Sequence, residues 1–111
     1  MNSVYTLRIN ADEEKHSIIT SLLSVNPTST KSYWELSISE SSHLYVNAIN
    51  YFLELIENNI ERLNQNGFKN EDLSIWYLYE YDEQCNMDFT PSVLKKLGEN
   101  GIALCISCWK K

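Results

Sequence analysis

A chain of 111 residues with 43% apolar and 22% charged residues suffices for one domain with a buried core, and excludes a disordered or fibrous protein. Its net charge of -6 and pI near 4.8 oppose binding to phosphate backbones or anionic membranes, because both contacts depend on clustered Lys and Arg. No apolar run approaches the roughly 20 residues that span a bilayer, no basic-then-apolar leader opens the chain, and an odd three cysteines fit a reducing compartment, so the expectation is a cytoplasmic protein with no nucleic-acid or membrane partner and no cofactor or metal.

Val4 to Ile9 alternates Tyr5, Leu7 and Ile9 against Thr6, Arg8 and Asn10, the period of a half-buried strand. Asp12 offers an N-cap to a helix with Glu13 and Glu14 in its first turn and Ile18, Ile19, Leu22 and Leu23 as its core stripe. Asn26-Pro27 stops that helix, since the residue before proline is pushed out of helical space. Tyr33 to Ile38 alternates again, with Trp34, Leu36 and Ile38 on one side and Tyr33, Glu35 and Ser37 on the other. Ser39 to Ser42 supplies N-caps for a long helix from His43 to about Gln65, whose apolar residues Ile49, Phe52, Leu53, Ile56, Ile60 and Leu63 keep helical spacing. At 1.5 Å per residue that helix is roughly 34 Å long, and Asn66-Gly67 provides its left-handed stop.

Leu73 to Tyr81 is the longest β-prone run, with Leu73, Ile75, Tyr77, Tyr79 and Tyr81 on one face and Ser74, Trp76, Leu78 and Glu80 on the other. A polar turn follows, then a short extended piece from Met87 to Phe89. Thr90-Pro91 starts a short helix with Val93, Leu94 and Leu97 inward, ended by Gly98 to Gly101. The last strand runs from Ile102 to Trp109. Strict alternation of strands and helices favours a three-layer α/β sheet, but strands there are apolar on both faces and the first two here are one-sided. The expected fold is therefore α+β, a two-layer sandwich whose mixed or antiparallel sheet of four to five strands carries three helices mainly on one face.

The helix ending in LLSVNPT (Leu22 to Thr28), the strand carrying Trp34 and Leu36, the long amphipathic helix and the segment FTPSVLKKLGENGIALCIS (Phe89 to Ser107) give the chain a resemblance to an uncharacterised bacterial family, number 4279 among the catalogued domains of unknown function. The resemblance covers nearly the whole chain and implies an α+β fold and a bacterial source, with no catalytic residues to carry over. The chain departs from the pattern in having only five residues between Thr28 and Trp34, where a longer, glycine-bearing segment is expected.

Cys105 and Cys108 form a C-x-x-C match, which with Cys85 and a histidine suggests zinc or redox chemistry. On a strand, however, residues three apart point to opposite faces about 10 Å apart, beyond the roughly 7 Å between Cα atoms that a disulfide tolerates. His16 and His43 stand near helix starts without a nucleophile motif and read as surface residues, while Glu80, Asp82, Glu83 and Asp88 match no calcium-loop spacing and read as a solvated turn. Glu54, Glu57 and Glu61, flanked by Asn47, Asn50 and Asn58, form an acidic ridge on the long helix, either solvated or a dock for a basic partner.

If helices cover the side bearing Leu7, Trp34, Ile75 and Leu104, the other side presents Thr6, Arg8, Glu35, Ser37, Trp76, Leu78, Cys105 and Trp109. Partly exposed aromatics rimmed with polar groups mark interfaces. The expectation is a non-catalytic domain that binds a protein partner, of immunity type or a second copy of itself, through Arg8, Glu35, Trp76, Leu78 and Trp109 or through Glu54, Glu57 and Glu61. The alternative is a small-molecule-binding domain or small enzyme with a pocket lined by Tyr77, Tyr79 and Tyr81.

Overall fold

One antiparallel strand organises the chain. In the computed structural model, which describes residues 3–39 and 47–111, β1 (Ser3–Ile9) lies inside the sheet and pairs antiparallel with β2 (Trp34–Ser39) on one side and β3 (Leu73–Tyr81) on the other. β4 (Ala103–Lys110) is added parallel to β3 through a helical crossover, giving the strand order β2-β1-β3-β4. The fold is the expected α+β arrangement on a four-stranded mixed sheet.

The helices are α1 (His16–Leu23), α2 (Ala48–Glu57), α3 (Ile60–Gln65) and α4 (Pro91–Glu99). Their buried residues, among them Ile19, Leu23, Phe52, Ile56, Leu63, Val93 and Leu97, join Leu7, Ile9, Trp34, Ile38, Leu73 and Ile75 in one core cluster. Register places those sheet residues on a single face, because Leu7 lies opposite both Leu36 and Ile75 while Ile9 lies opposite Trp34 and Leu73. All four helices of the described residues therefore pack on that face, and the period-2 reading of the strands holds residue for residue.

The long helix expected from His43 to Gln65 is two helices. Its expected start, with His43 and the caps at Ser41 and Ser42, lies outside the described residues; α2 begins at Ala48 with the Asn47 side chain accepting from the Asn50 N–H at 3.1 Å. The break falls at Asn58-Asn59. Asn59 is buried, and its amide donates to the Leu55 carbonyl at 2.7 Å while its Oδ1 accepts from the Arg62 guanidinium. Side-chain competition for backbone carbonyls is why Asn is poor inside helices, and here it ends one helix and begins the next.

Other boundaries shift in the same local way. Asp12 opens a 3-10 turn, Glu13–Lys15, without a side-chain cap, and α1 stops at Ser24 in a left-handed conformation (φ 58°), before Asn26-Pro27. Met87 to Phe89 forms no strand. Thr90 caps α4 as expected, accepting from the Val93 N–H at 3.3 Å, and Gly67 and Gly101 take the left-handed conformations (φ 90° and 64°) that end their helices. His16, expected at the surface, is buried, with Nε2 against the Ala11 carbonyl at 3.1 Å.

Candidate functional site

The face of the sheet opposite the helices carries a built cluster. Arg8 of β1 lies opposite Glu35 of β2 and Ser74 of β3, and its Nε donates to Glu35 Oε2 at 2.8 Å. The guanidinium sits between two rings, 4.6 Å from the Tyr33 centroid and 4.3 Å from that of Trp76. A planar, weakly hydrated cation fills such a slot, and the ring faces supply partial negative charge that complements it. Trp76 is fixed further by its indole N–H, which donates to Ser74 Oγ at 3.0 Å.

The next row toward the other end of the strands is Ser37, Thr6, Trp76 and Cys105, and the one beyond it Ser39, Val4, Leu78 and Ser107. Thr6 and Ser37 share a hydroxyl hydrogen bond of 2.8 Å. On β4, Trp109 pairs with Glu80 and donates its indole N–H to that carboxylate at 3.3 Å. Trp76 and Leu78 are half-buried, and Trp109 is 45% exposed. Among the described residues no helix lies on this face, because the buried side of every helix belongs to the core on the other.

The structure thus brings Arg8, Glu35, Trp76, Leu78 and Trp109 onto one surface, in the row order their alternation implies. It does not bring the acidic ridge of Glu54, Glu57 and Glu61 to it. Glu54 and Glu57 lie on α2 and Glu61 on α3, all exposed on the helical layer, so the break at Asn59 divides the expected ridge between two helices. Glu57 accepts from the Asn100 side chain at 3.2 Å, tying α2 to the end of α4.

Among the described residues one cavity of about 150 Å³ is lined by Tyr5, Ile38, Asn47, Asp88, Phe89 and Thr90 among others, and two more open clefts of about 220 and 200 Å³ lie beside Asp12 and Asp72 and beside Tyr51 and Asn58. None of the three is lined by Tyr77, Tyr79 or Tyr81, and each is smaller than the roughly 300 Å³ at which ligand pockets begin. Tyr77 is buried and stacks on Tyr5 with centroids 4.3 Å apart, and Tyr79 packs against Tyr77 at 5.5 Å.

Cys105 lies opposite Trp76 on the open face and Cys108 opposite Tyr79 on the helical face, so the C-x-x-C pair is split as strand geometry requires. Among the described residues no three His, Cys, Asp or Glu side chains gather as a metal site. The pairing that sequence spacing missed is Cys85 with Cys108. Cys85 is half-buried within the exposed run from Asp82 to Asn86, and its thiol lies near enough to that of Cys108 to be influenced by it. Burial first, and then the neighbouring Cys108 thiol, push the Cys85 thiol above the ordinary thiol range.

The neutral thiol is thus favoured in the folded chain. The contribution is complete below the unfolded thiol's pKa and is lost as pH rises through the raised folded value. Alkylation of Cys85, followed site by site by mass spectrometry, is expected to reach its half-maximal rate at a higher pH than that of a cysteine in a short peptide. Cys108→Ser should bring that midpoint part of the way down and leave the burial contribution; a midpoint at the peptide value would contradict the contact.

Compared with models of known protein families, with curated proteins and with solved structures, the chain finds no match.

Proposed function

We propose that the protein is a non-catalytic, cytoplasmic interaction domain that binds a protein partner through the open face of its sheet. One observation carries this reading: Trp76, Leu78 and Trp109 stand partly in water on a face with no helix over it among the described residues. Leaving aromatic area in water forgoes the stabilisation that burial supplies, about 25 cal/mol per Å². Tryptophan and arginine are also the residues that anchor protein interfaces, where a few desolvated side chains carry most of the affinity. The Arg8 slot adds a rigid, pre-formed centre, so little side-chain entropy is lost on binding.

The charge of -6 favours a basic partner by steering the encounter, which is the physical basis for the immunity-type version of the reading. The exposed carboxylates of Glu54, Glu57 and Glu61 add to the overall acidic field from the helical layer, away from the contact itself. Trp76→Ala with Leu78→Ser removes apolar contact from the centre of the face. Cross-linked capture from the source cells should yield a partner with the wild-type chain and with Leu94→Ser, whose side chain is exposed on the helical layer, and lose it with the double variant. Equal capture by all three chains would overturn the assignment of the face.

A further inference from the structure

The two edges of the sheet are treated differently. Along β2, the segment at Thr28 and Ser29 folds back on the strand: the Thr28 N–H donates to the Glu35 carbonyl at 2.6 Å, the Glu35 N–H to the Ser29 carbonyl at 3.0 Å, and the Ser37 N–H to Thr28 Oγ1 at 2.9 Å. That edge is capped. Along β4 nothing pairs among the described residues, although the strand runs from Ala103 to Lys110 and carries two exposed large apolar side chains, Ile106 (46%) and Trp109 (45%), on opposite faces. Natural sheets blunt such edges with short strands, charged side chains, prolines, bulges or inward charges; on β4 the one charge is Lys110 at its end, and the uncharged stretch from Ala103 to Trp109 is a template for another strand.

The direction of the free groups follows from the ladder. The Lys111 N–H donates to the Tyr81 carbonyl at 2.8 Å, so odd-numbered residues bond toward β3. The backbone groups of Leu104, Ile106, Cys108 and Lys110 therefore point outward. We propose that β4 pairs antiparallel with β4 of a second copy about a two-fold axis at Ile106, joining the two sheets into one.

Three features favour a second copy over a foreign strand. The register centred on Ile106 sets outward-bonding residues against each other, with Leu104 opposite the partner's Cys108, and it keeps each side chain on its own face. It places the bulky Trp109 beside the small Ala103 of the other copy, and the open faces of the two sheets become continuous. Charge matches as well. None of the fifteen carboxylate residues lies between Ile102 and Lys111, so the acidity that keeps copies apart is missing from this edge. The two-fold axis brings Lys110 and Lys111 of one copy toward the carbonyl end of α4 in the other, whose dipole favours cations.

Sedimentation equilibrium of the full chain from micromolar to millimolar concentration tests this. The wild type should pass from 12.9 kDa toward twice that mass. Ile106→Lys, a change at an exposed side chain, should weaken association by about tenfold or more, as charge does on a natural edge strand. In a chain with Cys85, Cys105 and Cys108 replaced by serine, Ile106→Cys should oxidise to a covalent dimer under diamide, because the two copies of this position face each other at about 5.5 Å. A wild type that stays at 12.9 kDa throughout, a dimer unaffected by Ile106→Lys, or no cross-link at position 106 would overturn the proposal. None of these outcomes touches the partner-binding reading, whose disrupting variant, Trp76→Ala with Leu78→Ser, lies on β3.

Discussion

Replacing Trp34 with alanine is expected to cost about 3–5 kcal/mol of stability, the range found when a buried tryptophan is truncated. Trp34 has no exposed surface, lies opposite Ile9, and donates its indole N–H to Thr20 Oγ1 of α1 at 3.0 Å. Thr20 in turn donates to the His16 carbonyl at 3.2 Å, and His16 holds the Ala11 carbonyl through Nε2. One side chain thus fills the space between α1 and the sheet and fixes the segment that connects β1 to α1. A loss of this size is a large part of the 5–15 kcal/mol that holds a typical domain together. Trp34→Phe keeps most of the volume and should cost roughly 1–2 kcal/mol, whereas Thr20→Val strands a buried N–H at about 1–3 kcal/mol. Urea midpoints at constant slope measure all three, and a cost below about 1 kcal/mol for Trp34→Ala would contradict this description of the core.

Arg8→Ala is expected to cost about 2 kcal/mol, less than the core change because the site is on the surface. The Arg8 and Glu35 side chains retain 25% and 22% exposure, so their ion pair alone is worth little once water screening is allowed for. The larger share comes from the apolar stem and planar head lying against Tyr33 and Trp76. Lysine restores the charge but not the plane, so Arg8→Lys should recover less than half of the loss. Glu35→Gln, which removes only the ionic part, should cost about 0.5–1 kcal/mol. A double-mutant cycle between positions 8 and 76 should show a coupling of roughly 1 kcal/mol, and additivity of the two single changes would rule out the stacked arrangement.

Most of the sheet was legible because alternation is strict and a one-residue slip would invert every side chain. Alternation assigns Leu7, Trp34, Ile75 and Leu104 to one face and Arg8, Glu35, Trp76 and Trp109 to the other, and the register puts them there. The helical layer was less legible. The apolar spacing of Phe52, Leu53, Ile56, Ile60 and Leu63 continues across Asn58-Asn59, so periodicity alone gave one helix; the break comes from an asparagine whose burial and carbonyl contact are tertiary facts. His16 failed for a related reason, since its position at a helix start says nothing about a neighbouring carbonyl. Strand spacing correctly separated Cys105 from Cys108, but nothing local joins Cys85 to Cys108, because the loop that returns across the sheet has no periodic signature. The order of the strands, and hence the bare β4 edge and the capped β2 edge, depends on crossovers that composition does not encode.

The partner-binding reading stands on the openness of one sheet face, and the three tryptophans report on it independently. In single-tryptophan chains with phenylalanine at the other two positions, acrylamide quenching at low protein concentration should be strongest for Trp109, intermediate for Trp76 and near zero for Trp34. That order would place the aromatic patch in water as described. Trp76 and Trp109 as shielded as Trp34 would mean that the face is covered, and would contradict the account.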